Sequence, residues 1–450
     1  MKEKKSKKIP KCSPDVKVFE SPGEAKKELG AEEVQTTTNA LTPISFKEPP
    51  EPVVITGVFD TKLASEKMSR IALTMAKQYG EKAMMYLRDH PDYAKVHNWV
   101  STQNCAVDWI LSGKADGTGG LPVGRIIELF GDPASGKSLL LTQILAEVQR
   151  RGGIPVLYDP ETTFDSYFAT RVGLNTNEIM YSKCYKEVKR QKMVLDKEGK
   201  LVKEMITVQL PATVEQLRDE IEELIDITYH EFPGVLLVIG LDSVAALSTK
   251  HELQIAQAKE EKDRDKRDFT KASGIRTFVK MLEAKMADKN CIFIATNHVI
   301  ANIKIENPWE RSAKPARGLG PKEDKSAPGG SGLPFGSSVR LDLTRGNDIR
   351  DKANKTLVEG HEIHVFSHKN KVYPAHKFTT VEMNFATGMD RYSGLLDILI
   401  AKDVVDELGD QVFRYKGTRF KRKTQDKPRF LGLSEVIEKH PEIPSLINEI

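Results

Sequence analysis

The chain has 450 residues, of which 39% are hydrophobic and 29% are charged, the balance of a soluble globular protein long enough for more than one domain. Lysine and arginine total 68 against 64 aspartate and glutamate residues, so the net charge of +4 neither favours nor excludes nucleic acid as a partner. No apolar run is long enough to cross a bilayer, which argues against a membrane protein. The four scattered cysteines lack metal-site spacing and favour free thiols in the reduced cytoplasm.

The N-terminal part divides into a tail and a helical segment. Residues 1–55 are polar, with repeated Lys, Thr and Pro, and are predicted to form a disordered tail. Within residues 56–100, the stretch from Ser65 to Leu87 has apolar side chains at helical spacing, which predicts an amphipathic helix. These side chains are Met68, Ile71, Ala72, Met75 and Ala76. Such a helix packs either on a neighbouring molecule or on its own domain, and both remain open at this point.

Residues 101–390 alternate predicted strands with predicted helices. This alternation predicts an α/β domain whose mostly parallel sheet is covered on both faces. Strands are predicted at Arg125–Phe130, Ile154–Tyr158, Val235–Ile239 and Cys291–Thr296, and a helix at Ser138–Arg151. The charged stretch from Val188 to Thr207 is interpreted as an inserted hairpin, because Lys197-Glu198-Gly199-Lys200 at its middle is typical of a turn.

Two long loops and a small C-terminal unit complete the predicted architecture. The first loop, Glu252–Lys271, is dense in charges of both signs, and the second loop, Ala301–Gly336, is rich in Gly, Pro, Lys and Arg. A loop as long as the second one is usually functional when it occurs inside a compact domain. Residues 391–450 are predicted to form a small α+β domain.

A glycine-rich motif stands between the first predicted strand and the first predicted helix of the α/β domain. It consists of Gly131, Asp132, Pro133, Ala134, Ser135, Gly136, Lys137 and Ser138. In this context the backbone amides and the helix N-terminus form a cradle for phosphate, which predicts an ATP site of the P-loop type. Lys137 can reach the β- and γ-phosphates, and Ser138 can ligate Mg²⁺.

Two further strands lead to carboxylates that would face the nucleotide. Val235–Ile239 leads to Asp242, the position at which P-loop proteins hold Mg²⁺ through water, although an isolated aspartate at a strand end is more often a cap. Ile154–Tyr158 leads to Asp159 and Glu161. Either carboxylate could orient or deprotonate the attacking water.

These motifs occur in the order found in bacterial RecA recombinases, and the chain resembles that family from about Ser65 to about Pro441. The resemblance rests on Ile71–Leu87, Gly119–Ile126, Asp242–Leu247, Gly329–Leu343 and Lys369–Lys371. These segments are similar, in that order, to the family's polymerisation helix, its entry to the P-loop, its magnesium strand, the end of its second DNA loop and its paired-lysine motif. The resemblance implies a RecA-like P-loop ATPase core that uses ATP and Mg²⁺, with Glu161 as the catalytic base.

The resemblance also implies roles for residues around the nucleotide. Asp165 and Phe168 would lie beside the adenine, and the neighbouring Tyr167 is an alternative stacking ring. Lys369 and Lys371 would reach across a filament interface to the γ-phosphate of the adjoining subunit, which is an arginine-finger role supplied in trans. A solvated turn is the plainer interpretation of the two lysines.

Four departures from the family pattern concern the nucleotide site and the second loop. Asp132-Pro133 stands where the family has Pro-Glu. His298 stands where the family has the glutamine that senses the γ-phosphate, and histidine can donate one hydrogen bond but can change charge near neutral pH. Pro334 replaces a lysine of the family, and the second loop is longer than usual.

Single-stranded DNA is expected on the second loop, because its basic side chains can neutralise phosphates and its tryptophan can stack on bases. The predicted DNA-contacting residues are Lys304, Trp309, Arg311, Lys314, Arg317, Gly329, Gly330 and Arg340. The basic stretch from Arg414 to Arg429, opposed only by Asp426, favours contact with duplex DNA over a solvated strand pair with core aromatics. The first loop is explained equally well by a solvated helix face.

The predicted function is that of a DNA-dependent ATPase that forms a filament on single-stranded DNA and exchanges strands with a homologous duplex, in recombination and repair. A hexameric ring helicase, which shares the core fold, is the first alternative. A non-catalytic, ATP-gated filament scaffold is the second. The early helix, the paired lysines and the basic terminal unit favour the filament over the ring.

Overall fold

The structure is a computed structural model. It describes residues 61–80, 95–195, 201–257, 270–298, 300–301, 325–326, 330–351, 354–422 and 431–449. The predicted tail at residues 1–55 and most of the second loop therefore lie outside the described residues. The chain forms two compact units, Met1–Met84 and Met85–Ile450. No helix among the described residues is both long enough and apolar enough to cross a membrane.

In the first unit the described residues form helix α1, Thr61–Tyr79. It confirms the helix predicted within residues 56–100 but starts and ends earlier than the predicted Ser65–Leu87. The residue after the helix, Gly80, has φ of +96°, a left-handed conformation that glycine adopts readily and that commonly terminates helices. Met68 and Ile71, on the predicted apolar stripe, are each 54% exposed.

The second unit contains a nine-stranded sheet together with smaller sheets. The strands are β1 (Trp99–Val100), β2 (Leu121–Pro122), β3 (Ile126–Gly131), β4 (Ile154–Tyr158), β5 (Met180–Ser182), β6 (Tyr185–Leu195), β7 (Leu201–Pro211), β8 (Leu237–Leu241), β9 (Cys291–His298), β10 (Ile300–Ala301), β11 (Lys325–Ser326), β12 (Val339–Arg350), β13 (Val358–Asn370), β14 (Phe378–Asn384), β15 (Gly388–Met389), β16 (Asp406–Glu407), β17 (Val412–Tyr415), β18 (Thr418–Lys421) and β19 (Leu431–Gly432). The nine-stranded sheet has the order β15-β14-β13-β12-β3-β9-β8-β4-β5. The helices are α2 (Cys105–Ser112), α3 (Lys137–Arg150), α4 (Ser166–Arg171), α5 (Val214–Glu231), α6 (Lys250–Gln257), α7 (Thr270–Met286), α8 (Gly332–Gly336), α9 (Leu395–Ala401) and α10 (Leu433–Lys439).

Six neighbouring strands of this sheet run parallel to one another, which confirms the predicted mostly parallel α/β core. In sheet order they are β12, β3, β9, β8, β4 and β5. Both faces of this sheet are buried, as parallel sheets require. Along β9, Ile292 and Ile294 pack into the cluster that contains α3, whereas Phe293 and Ala295 pack into the opposite cluster, which contains α5 and α7. The nearly continuous apolar runs of these strands are therefore explained by burial on two sides.

Strand β8 begins later than the predicted Val235–Ile239. Gly234, with φ of +86°, turns the chain as it leaves α5, and the amide of Val235 donates to the carbonyl of Phe232 at 3.2 Å. Val235 therefore belongs to this turn, and the pairing with neighbouring strands begins at Leu237.

The inserted hairpin predicted around Val188–Thr207 is confirmed. Strands β6 and β7 pair with each other in antiparallel register from Tyr185 opposite Pro211 to Leu195 opposite Leu201. The hairpin follows the edge strand β5 and precedes α5.

The C-terminal residues pack against the core. Phe420 and Val436 are fully buried and share an apolar cluster with Cys105 and Ala106 of α2. The division at residues 390 and 391 therefore does not coincide with a break in packing, and a separate C-terminal domain stays a prediction.

Candidate functional site

Four parallel strands bring the predicted nucleotide-binding segments to one edge of the sheet. Gly131 at the end of β3 lies opposite His298 at the end of β9. Tyr158 at the end of β4 lies opposite Leu241 at the end of β8. Ligands of open parallel sheets bind outside the carboxyl ends of the strands. The P-loop and the residues that follow β4 and β8 therefore share the edge at which a ligand is expected.

The P-loop depends on glycine at two places. Gly131 has φ of +150°, and a Cβ atom there would lie 2.0 Å from the carbonyl oxygen of Leu343. Gly136 has φ of +89°, and a Cβ atom there would lie 2.5 Å from Cδ1 of Ile363. Gly136 is also the N-cap of α3, so the loop passes directly into a helix whose first amides are free to bind an anion. The backbone therefore fits a phosphate cradle.

The side chain of Lys137 folds back into the P-loop. Its Nζ donates hydrogen bonds to the carbonyl oxygens of Gly131 at 3.0 Å and Asp132 at 2.7 Å. Lys137 is buried, and burial lowers the pKa of its ammonium, while the carboxylates of Asp242, Asp132 and Glu161 oppose that shift. The cation is therefore held inside the loop by weak, neutral acceptors that a phosphate could replace.

Oxygen atoms suited to magnesium lie beside the P-loop. Ser138 is exposed in the first turn of α3. Asp242 is half-buried after β8, and its Oδ1 accepts a hydrogen bond from Oγ1 of Thr296 at 2.5 Å. Hydroxyl and carboxylate oxygens are the ligands that Mg²⁺ prefers. The donor set at Ser138 and Asp242 therefore fits the predicted metal role.

The carboxylate of Glu161 is held by two side chains from the neighbouring strand ends. Oγ of Ser243 donates a hydrogen bond to Oε1 of Glu161. Nε2 of His298 lies 3.3 Å from the same oxygen. Glu161 is half-buried, so it is oriented by the protein and still accessible to a ligand. This is the environment that a general base requires.

Asp159, the alternative base, has structural partners instead. It is 1% exposed. Its Oδ2 accepts hydrogen bonds from the amide of Phe164 and the hydroxyl of Tyr181, each at 2.9 Å, and its Oδ1 accepts from the amide of Thr163 at 3.3 Å. These bonds shape the loop after β4. The geometry therefore favours Glu161 as the base.

The predicted adenine contacts lie at the start of α4. Asp165 is the N-cap, and its Oδ1 accepts hydrogen bonds from the amides of Tyr167 at 2.8 Å and Phe168 at 3.1 Å. Phe168 is half-buried against the core, whereas Tyr167 is 73% exposed. Of the two candidate rings, Tyr167 is therefore the one accessible for stacking on a base.

Arg340 has an internal partner rather than a surface position. Its Nε donates to Oε2 of the fully buried Glu128, and its guanidinium lies 4.5 Å from the ring centroid of Phe130. Nδ2 of Asn297 donates to the other oxygen of Glu128 at 3.0 Å. The side chain of Arg340 is only 14% exposed. The geometry therefore does not support the predicted DNA contact of Arg340 and gives it a role in holding β12 to β3.

The segment Lys369-Asn370-Lys371, which we term the lysine turn, ends β13. Nζ of Lys369 donates hydrogen bonds to the carbonyl oxygens of Pro334 at 2.9 Å and Phe335 at 2.8 Å, in α8, which closes the second loop. Burial lowers the pKa of Lys369, and the nearby charge of Lys371 adds to this shift. Lys371 is exposed, and its Nζ has no hydrogen-bond partner among the residues that the structure describes. Lys371 is therefore the freer of the two cations.

Most predicted DNA-contacting residues fall outside the described parts of the chain. These residues are Lys304, Trp309, Arg311, Lys314, Arg317 and Gly329. Gly330 is described, and a Cβ atom there would lie 2.8 Å from Cβ of Ala272 in α7. The first loop begins within a helix, because α6 extends to Gln257, and its basic residues from Lys259 to Arg267 lie outside the described ranges.

Asp426 is the only carboxylate within the basic C-terminal stretch, but carboxylates from outside the stretch also pair with its basic residues. Arg414 pairs with Asp406, Lys416 with Glu442 and Arg422 with Asp397. Its aromatic residues Phe413, Tyr415 and Phe420 are buried. Pairing with carboxylates distant in sequence cannot be seen in a local charge count. The geometry favours the strand pair with core aromatics, and duplex contact stays a prediction.

Two side chains of the site escaped sequence reasoning. Ser243 binds Glu161, and Thr296 binds Asp242. Both are small hydroxyl residues that are common anywhere in a chain, so their type carries no signal. Their positions do carry a signal, because both lie beside the predicted magnesium residue Asp242. Ser243 directly follows Asp242, and Thr296 lies one residue beyond Ala295, which pairs with Leu241.

The parallel sheet with its strand–P-loop–helix unit defines the core of a P-loop protein. A family model described as the RecA N-terminal domain matches residues 66–203 and 191–390, and the chain belongs to the RecA family. The two matches meet within the β6–β7 hairpin, as expected if the hairpin is an insertion. The protein RecA of Rickettsia massiliae (strain Mtu5) is 28% identical over 391 residues, which are 86% of this chain and 93% of that protein. The protein RecA of Bordetella petrii is 27% identical over 385 residues, 84% of this chain and 88% of that protein.

Proposed function

We propose that the protein is an ATP-dependent DNA recombinase, which forms filaments on single-stranded DNA and catalyses homologous pairing and strand exchange with DNA-stimulated ATP hydrolysis. The observation that carries this proposal is the convergence of Lys137, Asp242 and Glu161 at the sheet edge from which the second loop leaves β9. Membership of the RecA family and similarity to RecA proteins over most of the chain support it. A cytoplasmic location belongs to the same proposal.

In this proposal the chain's own residues perform four tasks. Lys137 binds the β- and γ-phosphates, and Ser138 with Asp242 would hold Mg²⁺, which neutralises phosphate charge when bound. Glu161, oriented by Ser243, accepts a proton from the water that attacks the γ-phosphorus, and ADP and phosphate leave. His298 lies between the P-loop and Glu161, so it is placed to respond to the γ-phosphate.

The proposal is tested by three measurements on the wild-type chain. ATP turnover should rise when single-stranded DNA is added. Electron microscopy with DNA and ATP should show helical filaments, whereas closed rings would favour the helicase. Exchange of strands between a circular single strand and a homologous linear duplex should occur; filaments without exchange would favour a scaffold.

Replacing both lysines of the lysine turn should separate ATP binding from DNA stimulation. We expect Lys369→Ala with Lys371→Ala to leave ATP binding by the isolated subunit intact and to remove DNA-stimulated turnover, because these cations would act on the neighbouring subunit's nucleotide. Nucleotide titration and steady-state turnover with and without DNA provide the measurement. Lys355→Ala, an exposed lysine in the connection between β12 and β13, is the matched control. Undiminished stimulation in the double variant would refute the trans role.

The second loop should be the main contact for single-stranded DNA. Changing Arg311, Lys314 and Arg317 together to alanine should make the slope of log affinity against log salt shallower by about two units, at roughly 0.7 per phosphate contact. Trp309→Ala should instead weaken binding with little change in slope, since stacking releases no counterions. Fluorescence anisotropy over a salt series measures both effects. An unchanged slope in the triple variant would move the DNA site elsewhere.

A further inference from the structure

The lysine turn is fixed by its central residue. Oδ1 of Asn370 accepts hydrogen bonds from the amides of Val372 at 3.0 Å and Tyr373 at 3.1 Å, and its Nδ2 donates to the carbonyl of Leu111 at 2.8 Å. An asparagine side chain that bonds amides two and three residues ahead stabilises a tight turn. The direction in which Lys371 leaves β13 is therefore set by Asn370 and by the residues that hold Tyr373.

Tyr373 is held at both ends. Its ring lies so close to Gly113, at the end of α2, that a Cβ atom on Gly113 would be 2.8 Å from Cε2 of the tyrosine. Its hydroxyl donates a hydrogen bond to Oε2 of Glu449. The same hydroxyl accepts one from Nζ of Lys377 at 2.6 Å, and that ammonium lies 4.0 Å from the ring centroid of Trp109.

Glu449 joins this arrangement to the C-terminal segment. Its Oε1 is 2.7 Å from Nζ of Lys402, and its amide donates to the carbonyl of Gly113 at 2.7 Å. Hydrogen bonds to Lys402 and Tyr373 lower the pKa of Glu449, and burial with the same bond raises the pKa of Tyr373. The carboxylate is thus ionised and the phenol protonated at neutral pH, which is the pairing that gives a strong, charge-assisted hydrogen bond.

We propose that Glu449 and Tyr373 are positioning residues, which hold the lysine turn in the conformation that presents Lys371 to the nucleotide of a neighbouring subunit. The inference rests on the proposed function for the role of Lys371, but the ordering of the turn does not. Neither Glu449 nor Tyr373 needs to touch a nucleotide in this role. The effect of Glu449 passes through the ring of Tyr373 and the turn at Asn370 to Lys371.

A second tyrosine–glutamate–lysine group in the C-terminal part supplies a matched control. The hydroxyl of Tyr415 donates to Oε1 of Glu442 at 3.3 Å, and Nζ of Lys416 lies 3.1 Å from that oxygen. This group has the same chemistry and no described contact with the lysine turn. Glu442→Gln and Tyr415→Phe therefore control for loss of a surface charge and of a tyrosine hydroxyl.

The test combines hydrogen exchange with turnover, both on the full chain. In Glu449→Gln and Tyr373→Phe, the backbone amides within residues 371–376, other than Pro374, which has no N–H, should exchange roughly tenfold faster than in the wild type, which corresponds to loss of one charge-assisted hydrogen bond. DNA-stimulated kcat should fall by on the order of tenfold, because small displacements of a positioned charge reduce rates strongly. Affinity for ATP without DNA should not change, and the two control variants should match the wild type throughout.

A double-mutant cycle separates this inference from the proposed function. In a Lys371→Ala background, Glu449→Gln should cause no further loss of DNA-stimulated turnover, because both changes remove the same contribution. Exchange at residues 371–376 equal to that of Glu442→Gln, or faster exchange with undiminished stimulation, would overturn the inference. If wild-type turnover did not respond to DNA, the proposed function would fail, and the exchange comparison would still decide whether Glu449 orders the turn.

Discussion

Lys137→Ala should abolish ATP hydrolysis. The ammonium is the cation held within the P-loop, where it donates to the carbonyls of Gly131 and Asp132 at 3.0 and 2.7 Å, so a bound γ-phosphate would lose its principal positive partner. Charge stabilisation by a preorganised donor typically contributes on the order of a hundredfold to a thousandfold or more to the rate. Turnover at saturating ATP, with and without DNA, measures the loss.

The Lys137 variant needs a control because the side chain is buried. Lys289→Ala removes another well-packed lysine, which pairs with Asp226 at 3.2 Å and precedes β9 at the opposite edge of the sheet. Both variants should remain folded, as judged by circular dichroism and thermal unfolding, and only Lys137→Ala should be inactive. Near-normal turnover in that variant would rule out the assigned phosphate site.

Glu161→Gln should bind ATP and hydrolyse it slowly. The glutamine keeps the size of the side chain and an oxygen that can accept from Ser243, but it cannot accept a proton from water. Loss of one general base typically lowers a rate by about two to four orders of magnitude. Because hydrolysis would release the filament, the variant should remain on DNA longer than the wild type. Single-turnover hydrolysis and filament lifetime by light scattering provide the two measurements.

Asp159→Asn distinguishes the two carboxylates after β4. Asp159 accepts hydrogen bonds from the amides of Thr163 and Phe164, so its replacement should lower thermal stability and weaken nucleotide binding by disturbing that loop. If Asp159→Asn retained ATP binding but lost hydrolysis, or if filaments of Glu161→Gln disassembled faster than those of the wild type, Glu161 would not be the base.

The sequence predicts the core well because the core is built from local signals. Buried parallel strands appear as apolar runs, as in Cys291–Thr296, and the P-loop is a contiguous motif between a strand and a helix. Boundaries shift where a turn competes with an apolar run, as at Val235. The position after a strand makes both Asp159 and Glu161 candidates for the base. The resemblance to RecA proteins chooses Glu161 between them and adds the lysine turn, which no local rule would single out.

Pairing across long sequence distances could not be predicted in the same way. The partner of Arg340 is Glu128, and the partner of Arg422 is Asp397. In a linear sequence both arginines look like free cations for DNA. Only the sheet order and the packing of the C-terminal segment show that carboxylates already pair with these two arginines. The contacts of Ser243 with Glu161 and of Glu449 with Tyr373 could not be predicted for the same reason, because the partners are distant in sequence.

Strand β13 contacts the P-loop and also carries the lysine turn. Ile363 lies against Gly136 at the start of the P-loop helix. Lys369 stands about 20 Å further along the strand, at roughly 3.4 Å per residue, and Lys371 follows directly after the strand ends at Asn370. Strand β13 pairs with β12 from Val358 to Asn370 and with β14 from Gly360 to Phe366, so β12 holds it as far as the lysine turn. In the proposed filament, β13 would connect the P-loop of one subunit to the lysine turn that faces the nucleotide of the next subunit, so a single strand would contact the sites of two successive nucleotides.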